Sequence, residues 1–316
     1  MTKDTLGREA YLERLLAAPH PGTDKVLAFY DHRVGAVCTD ASLMLLPLDD
    51  HLVHRGDGVF ETLKYIDGKL YQLEPHINRM KRSSKAIYLD PPCPWDEVAE
   101  IVQDVCRAGE LRQGNVRILL GRGPGGFGIS PYECPEPSLY IVAYKISPKP
   151  EEVYEKGATA FRTTVPAKQS YMARIKSTDY LPNMLIVREA HEKGMDFGLC
   201  FDDHGFLAEG STENVCLVDA KGRLVVPEFT NALAGTTLLR AVELLGDEVM
   251  VLRRNVRESE IYDAKELMVV GTTLDVMPLV RFNGRPIHDV KPGPVGKRMR
   301  ELLQHDLQEN GIPLFD

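Results

Sequence analysis

Apolar positions change their period along the chain, and each change marks an element. Residues 3–18 place Leu6, Tyr11, Leu12, Leu15 and Leu16 at helical spacing, and "PHPG" ends the run. "KVLAFYDHRVGAV" and "VFETLKYIDGKLYQL" read as strand–turn–strand, the second turning at Asp67-Gly68. "EPHINRMKRSSKAIYL" reads as a helix with Pro75 in its first turn, and "WDEVAEIVQDVCRAG" as another that stops at Gly109. "NVRILLG" and "SLYIVAYKI" are apolar strands.

A break in pattern follows. "SPKPEEVYEKG" (147–157) carries two prolines and mixed charge and reads as a linker. Beyond it come strand "ATAFRTT", helix "YLPNMLIVREAHEKG" closed by Gly194, and strands "FGLCFD", "NVCLVD" and "RLVVP". Helix "TTLLRAVELLG", strand "KELMVVGTT" and a helix from about Val295 complete the chain. Strands and helices mix without strict βαβ alternation, so the expected class is α+β in two domains. The division is an N-terminal helical extension (1–25), a smaller domain (26–146), the linker (147–157) and a larger domain (158–316).

Composition narrows the function. The 316 residues are 43% hydrophobic and 27% charged, as in ordinary globular proteins. A net charge of −8 and no long Lys/Arg run argue against a nucleic-acid surface. No stretch of about 18 apolar residues exists, so no membrane span is expected. The N-terminus lacks an apolar core, so no signal peptide is read. The six cysteines form no CxxC pair and the nine histidines no HxxxH pair. Free thiols in a reducing cytoplasm and no metal are the expectation.

Four clusters could carry chemistry, and each alone has an ordinary explanation. In "HRGDGVFETL", Gly56 and Gly58 suit a bulge or a close backbone approach, or a plain turn. In "HINRM", Arg79 suits bidentate phosphate binding, or a solvated helix face. In "LAEGSTENVCLV", Glu209 could hold a protonated ring nitrogen, or simply be a turn acid. "AGTTLLRAVELL" and "VVGTTLDV" place Thr236, Thr237, Thr272 and Thr273 at a helix start and a strand exit. These suit an anion cup, or mere capping. The glycine-rich "GRGPGGFG" lacks a phosphate-loop pattern and reads as a mobile loop. Lys176 in "RIKSTDYLPN" is either a solvated cation or a reactive amine.

Taken together the clusters change the odds. "RGDGVFETL", "HINRM", "KSTDYLPNMLIVREA", "EGSTENV", "AGTT" and "GTT", in that order, resemble the class IV (fold type IV) pyridoxal-phosphate aminotransferases. That family includes branched-chain and D-amino-acid aminotransferases and aminodeoxychorismate lyases. The resemblance runs from about Ala28 to Gly296. It implies pyridoxal 5'-phosphate held by Lys176 as a Schiff base, with Lys176 moving the substrate proton. It further implies Glu209 at the ring nitrogen, Arg79 and the four threonines at the phosphate, Leu233 against the ring and Tyr180 on its hydroxyl. Phe60, Arg55 and Arg117 fall on the substrate side, the two arginines as a carboxylate trap. "FETLK" departs from the "FEGIR" of branched-chain enzymes, and "GDGVFET" is closer to the D-amino-acid and lyase branches. The implied activity is transamination of a D-amino acid or a branched-chain amino acid with a 2-oxo acid acceptor, in a cytoplasmic homodimer. The alternative is a lyase releasing pyruvate and 4-aminobenzoate.

Overall fold

The computed structural model describes residues 3–315. Helix α1 (Arg8–Ala17) precedes the body and buries no residue. The first unit is built on an antiparallel sheet of β1 (Val26–Asp31), β2 (Ala36–Cys38), β3 (Gly58–Ile66), β4 (Lys69–Leu70), β5 (Gly114–Gly121) and β6 (Ser138–Tyr144). The β3–β4 turn holds Asp67 at φ 54° and Gly68 at φ 76°, the positive pair that a two-residue hairpin needs. A short helix, α2 (His51–His54), enters β3, and α3 (Leu73–Ala86) and α4 (Trp95–Ala108) pack on the sheet. Their buried faces recur at helical spacing: Ile77, Met80 and Ser84 on α3, Val98, Val102 and Val105 on α4. Strand β3 is buried along nearly its whole length because helices cover one face and the second unit the other.

The stretch 147–157 is more ordered than a linker. It contains α5 (Glu151–Lys156), which starts after Pro150 and ends at Gly157 with φ +74°. Helix α5 packs against the second unit, and Tyr154 Oη donates to the Leu274 carbonyl at 2.9 Å.

The second sheet contains β7 (Ala158–Arg162), β8 (Phe197–Leu199), β9 (Asn214–Val218), β10 (Leu224–Val226), β11 (Val251–Arg253), β12 (Glu266–Gly271) and β13 (Asp275–Phe282). Its order is β11-β10-β9-β12-β13-β7-β8, with β14 (Arg285–Pro286) paired only to β13. Pairing is mixed: β13–β7, β7–β8 and β10–β11 are parallel, the rest antiparallel. Both faces are apolar. Val215 and Leu217 of β9 enter one core, Cys216 and Val218 the other, the two-residue period of a strand buried on both sides. Around it lie α6 (Ser170–Ala173), α7 (Leu181–Lys193), α8 (Thr236–Leu245), α9 (Glu258–Tyr262) and α10 (Pro294–Asn310). Helices α8 and α10 cover the second of those cores.

The last strand crosses back. β15 (Ile312–Pro313) pairs with β4, so residues from the end of the chain complete the first sheet. Strand β13, its pattern interrupted by Pro278, and the two-residue β15 were not legible as strands in the sequence. Both are set by neighbours rather than by their own periodicity.

Candidate active site

A cavity of about 540 Å³ lies between the two units. Its floor on the first unit is one face of β3, β5 and β6, which presents Phe60, Thr62, Arg117, Leu119 and Tyr144. The other walls come from the segment between α6 and α7, the loop before β9, and the two threonine turns.

Lys176 sits on that segment between α6 and α7. The segment runs beside the free end of β3, since β4 pairs only with the far end. Phe60 N–H donates to the Lys176 carbonyl at 3.0 Å, and Thr178 N–H to the Gly58 carbonyl at 2.9 Å. Gly58 is required here: a Cβ would stand 2.5 Å from Leu52 Cδ1 and 2.7 Å from the Leu120 carbonyl oxygen. Lys176 Nζ hydrogen-bonds Tyr180 Oη at 3.1 Å and lies 4.5 Å from the Phe60 ring centroid. Burial, then the charges of Arg79 and Arg117, pushes the amine down to about 8, against the pull of Glu61 and Glu209. Burial also raises the Tyr180 phenol, which stays protonated.

Glu209 approaches from the opposite wall. Leu233 N–H donates to its Oε2 at 2.9 Å, leaving the second oxygen for another donor. Burial raises its carboxyl to about 7, although Leu233 N–H, Lys168 and Lys176 pull it down. The Leu233 carbonyl is held by Asn214 Nδ2 at 2.7 Å.

The anion cup is formed by three elements. Helix α8 begins at Thr236 without a side-chain cap, and the N–H groups of Thr236 and Thr237 have no acceptor among the described residues. Gly235 precedes them because a Cβ would fall 1.8 Å from Asn214 Oδ1. Thr237 Oγ1 and Thr272 Oγ1 are 3.3 Å apart, so the two Gly-Thr turns meet. Arg79 reaches in from α3; its Nε and Nη2 hold Glu61 at 2.8 and 2.6 Å, and Nη1 lies 3.4 Å from the Ala234 carbonyl.

Lys176, Tyr180, Glu209, Leu233, Arg79, Thr236, Thr237, Thr272, Thr273, Phe60 and Arg117 all line this cavity. Arg55 does not. It caps α2 and donates to the carbonyls of Phe127 and Gly128 at 2.6 and 3.0 Å, so it ties down the glycine-rich loop. Its charge is taken up by main-chain dipoles rather than offered to a ligand in this cavity. Three residues were missed. Glu61 and His76 lie inside the quoted motifs "FETL" and "HINRM", but their pairing with Arg79 joins residues 15 and 18 positions apart. Lys168 lines the cavity with its amine 4.7 Å from the Tyr180 ring centroid, its pKa lowered by burial. No local pattern marks it.

Pyridoxal 5'-phosphate asks for an amine, a carboxylate and an anion cup within one ring's reach. The donor set fits: unbonded N–H groups at a helix start, a guanidinium, a lysine amine and a carboxylate with one unused oxygen. Among the described residues there is no His/Cys/Asp/Glu cluster able to hold a metal. Among the same residues, no helix is long and apolar enough to cross a membrane.

Comparison with known proteins agrees. Residues 58–282 match the model of the family "Amino-transferase class IV". The chain is 33% identical over 296 residues to a chloroplastic D-amino-acid transaminase of Arabidopsis thaliana, covering 91% of this chain and 78% of that one. It is 29% identical over 271 residues to a putative branched-chain-amino-acid aminotransferase of Methanocaldococcus jannaschii, covering 84% and 93%. Among solved structures, a branched-chain amino acid aminotransferase from Escherichia coli superposes with a TM-score of 0.83 at 24% identity, covering 92% of this chain and 97% of that one. Another branched-chain amino acid aminotransferase, solved with pyridoxamine 5'-phosphate, superposes with a TM-score of 0.85 at 24% identity, covering 90% and 95%. With the fold, the donor set and these matches in hand, the chain belongs to the class IV aminotransferases and is a pyridoxal-phosphate-dependent transaminase.

Proposed function

We propose that the protein moves an amino group from a D-amino acid or a branched-chain amino acid to a 2-oxo acid such as 2-oxoglutarate or pyruvate, with Lys176 as the amine that binds the cofactor. One observation carries the reading. Lys176, Glu209, the threonine turns and Arg117 converge on a single cavity from two units.

When bound, pyridoxal phosphate supplies an aldehyde that captures amines and a protonated ring that accepts the electron pair left by a departing α-proton. The protein's residues do the rest. Arg79 and the free N–H groups of α8 hold the phosphate. Glu209, with one oxygen fixed by Leu233 N–H, offers the other to the ring nitrogen and favours its protonated form. Tyr180 Oη keeps the Lys176 amine in place at 3.1 Å. Lys176 Nζ, lowered to about 8, takes the α-proton as a neutral amine and returns it. Arg117 meets the substrate carboxylate. It is held by Thr62 Oγ1 at 3.2 Å and stands over the Phe60 and Tyr144 rings, which fixes the fork's direction. D-amino acids are favoured. The support is "GDGVFET" at residues 56–62 together with the likeness to the plant D-amino-acid transaminase.

We further propose a homodimer. Leu43, Leu45, Leu46 and Leu48 are exposed on the loop ahead of α2, and Leu46 also lines the cavity. A second copy covering that loop would complete the mouth of the site.

The test is absorption spectroscopy of the purified protein with D-alanine, D-glutamate, L-leucine and L-glutamate added singly. The expected result is conversion of the cofactor's visible band to that of its amine form by one or more of them. A stable band that none converts, with pyruvate released from aminodeoxychorismate, would replace transamination by the lyase reaction.

A further inference from the structure

Behind the anion cup lies a buried polar layer. Glu61 of β3 is fully buried and accepts two N–H bonds from Arg79. Its Oε2 also lies 2.7 Å from His76 Nδ1. Across the imidazole, His76 Nε2 is 3.1 Å from Thr236 Oγ1, and Thr236 lines the cup. His76 is 1% exposed, so water does not compete for either nitrogen.

The proton positions follow from this chain. An ionised carboxylate only accepts, so the short contact to Glu61 places an N–H on Nδ1. The approach of Arg79 Nη2 to the same nitrogen at 3.4 Å is then donor against donor and is no bond. Burial keeps His76 neutral, below its ordinary value, in spite of Glu61. A neutral imidazole has one N–H, so Nε2 carries a lone pair. The Thr236 hydroxyl must spend its proton on His76. Toward the cup it shows only lone pairs.

That is the wrong polarity for a phosphoryl dianion, which also only accepts. The conflict disappears if the imidazole is cationic. Nε2–H then donates to Thr236 Oγ1, and the hydroxyl proton is free for the anion. We propose that His76 is a positioning residue of the phosphate cup: it takes one proton from solvent when a phosphoryl dianion binds, and Thr236 reverses to donate to that anion. The proposal rests on the reading of the cup as the cofactor's phosphate site.

The charges around His76 support the direction. Glu61 on β3 favours the cation, while Arg79 on the same helix and Lys176 on the facing segment oppose it. Thr236 on α8 is neutral. A dianion in the cup adds two negative charges beside Arg79 and offsets the opposing pair. The three groups then act as a unit, with Glu61 orienting the ring, the ring orienting Thr236, and Thr236 completing the cup.

The test uses the full chain, freed of cofactor and carrying ¹⁵N-labelled histidine. Pyridoxamine 5'-phosphate is the probe, because it lacks the aldehyde that would bond to Lys176. The pH is held near 8, above the second ionisation of a phosphate ester at about 6. Without the probe, His76 should show one N–H nitrogen and one unprotonated nitrogen; His76→Gln identifies both signals by their loss. With the probe, both nitrogens should become protonated. Calorimetry in two buffers of different ionisation enthalpy should give one more proton taken up by the wild type than by His76→Gln. A histidine of purely structural role would keep its tautomer and charge on loading. If pyridoxamine 5'-phosphate binds and His76 stays neutral, the proposal is overturned while the cofactor reading stands. If the probe does not bind, the cofactor reading fails and takes the proposal with it.

Discussion

The main-chain N–H of Phe60 donates to the carbonyl of Lys176 at 3.0 Å. A strand of the first unit thus carries the segment that presents the Lys176 amine to the cavity. The Phe60 ring packs 4.5 Å from that amine and helps exclude water from it. The same strand supplies Glu61 to Arg79 and Lys64 to Asp275. Three attachments along β3 therefore set the positions of the amine, the guanidinium and the second threonine turn.

Lys176→Ala should abolish transamination and leave the cofactor bound only noncovalently. In the wild type, capture of pyridoxal phosphate should speed up as pH rises and level off above about 8, where the amine is neutral. Stopped-flow rates against pH check this. A capture rate that keeps climbing to the ordinary lysine range would mean that the amine is not perturbed.

Glu61→Gln should destabilise the fold by about 3–5 kcal/mol, because it leaves the Arg79 charge buried with half its partner gone. Burial alone would raise Glu61, yet Arg79 and then His76 hold it down at about 2 against an ordinary 4.5. A depressed carboxylate stabilises the fold above its unfolded value, and that contribution is lost as pH falls from about 4.5 toward 2. Denaturant midpoints between pH 6 and pH 3 should converge for wild type and variant. Parallel curves would show that Glu61 is not ionised in the pair.

Glu209 behaves oppositely in the cofactor-free protein. Its folded value, raised to about 7, makes its ionisation unfavourable, so its stability contribution falls as pH rises from about 4.5 through 7. Glu209→Gln should therefore make the cofactor-free protein more stable than the wild type at pH 8 and no less stable at pH 4. The same variant should lower kcat by about 100-fold or more, since the protonated ring loses its counter-charge. Thermal unfolding at the two pH values and steady-state rates read both effects. Full activity in Glu209→Gln would remove the carboxylate from the ring nitrogen.

Arg117→Ala should raise KM for amino acids by about 10- to 100-fold, the worth of one charge-assisted hydrogen-bonded contact. The affinity for pyridoxamine 5'-phosphate should change little. Arg55→Ala should instead loosen the loop held at Phe127 and Gly128, seen as faster proteolysis there. An Arg117 variant with unchanged KM would exclude it from carboxylate binding.

Lys64→Met should weaken the fold by up to about 3 kcal/mol, because it takes the partner from Asp275 at a largely buried ion pair. Asp275 stands at φ +56°, in a region that non-glycine residues rarely occupy, directly after the Thr272–Thr273 turn. Freed from Lys64, the turn should hold phosphate less tightly. The readouts are the denaturation midpoint and the dissociation constant for pyridoxamine 5'-phosphate. A drop in stability without any change in that constant would confine Lys64 to a structural role.

Much of this protein was legible along the chain. Helices α3, α4, α7 and α8 and the Asp67-Gly68 hairpin follow from periodicity and from punctuation by Pro and Gly, which are local properties. Lys176, Glu209 and the threonine turns, which share one cavity, stood out in the sequence as short motifs, because each has particular neighbours: glycines that let backbone approach and a helix start with unbonded N–H groups. Charge pairing was not legible. Nothing near "FETL" says that Glu61 meets Arg79 and His76, and nothing near Lys168 says that it faces Tyr180. Arg55 and Arg117 look alike as isolated arginines, yet one binds a loop and the other faces the cavity.

The sequence by itself determined most of the longer helices, several of the strands and the residue types able to do the chemistry. These depend on interactions within a few residues. Only the tertiary structure decided which of them share a cavity, which way Arg79 and His76 are held, and that the final strand returns to the first sheet beside β4. Those outcomes depend on burial and on contacts between residues far apart in the chain. Burial removes water and shifts Lys176 and Glu209 toward their neutral forms, while Arg79 and His76 keep Glu61 ionised against the same burial, and no stretch of sequence contains these balances.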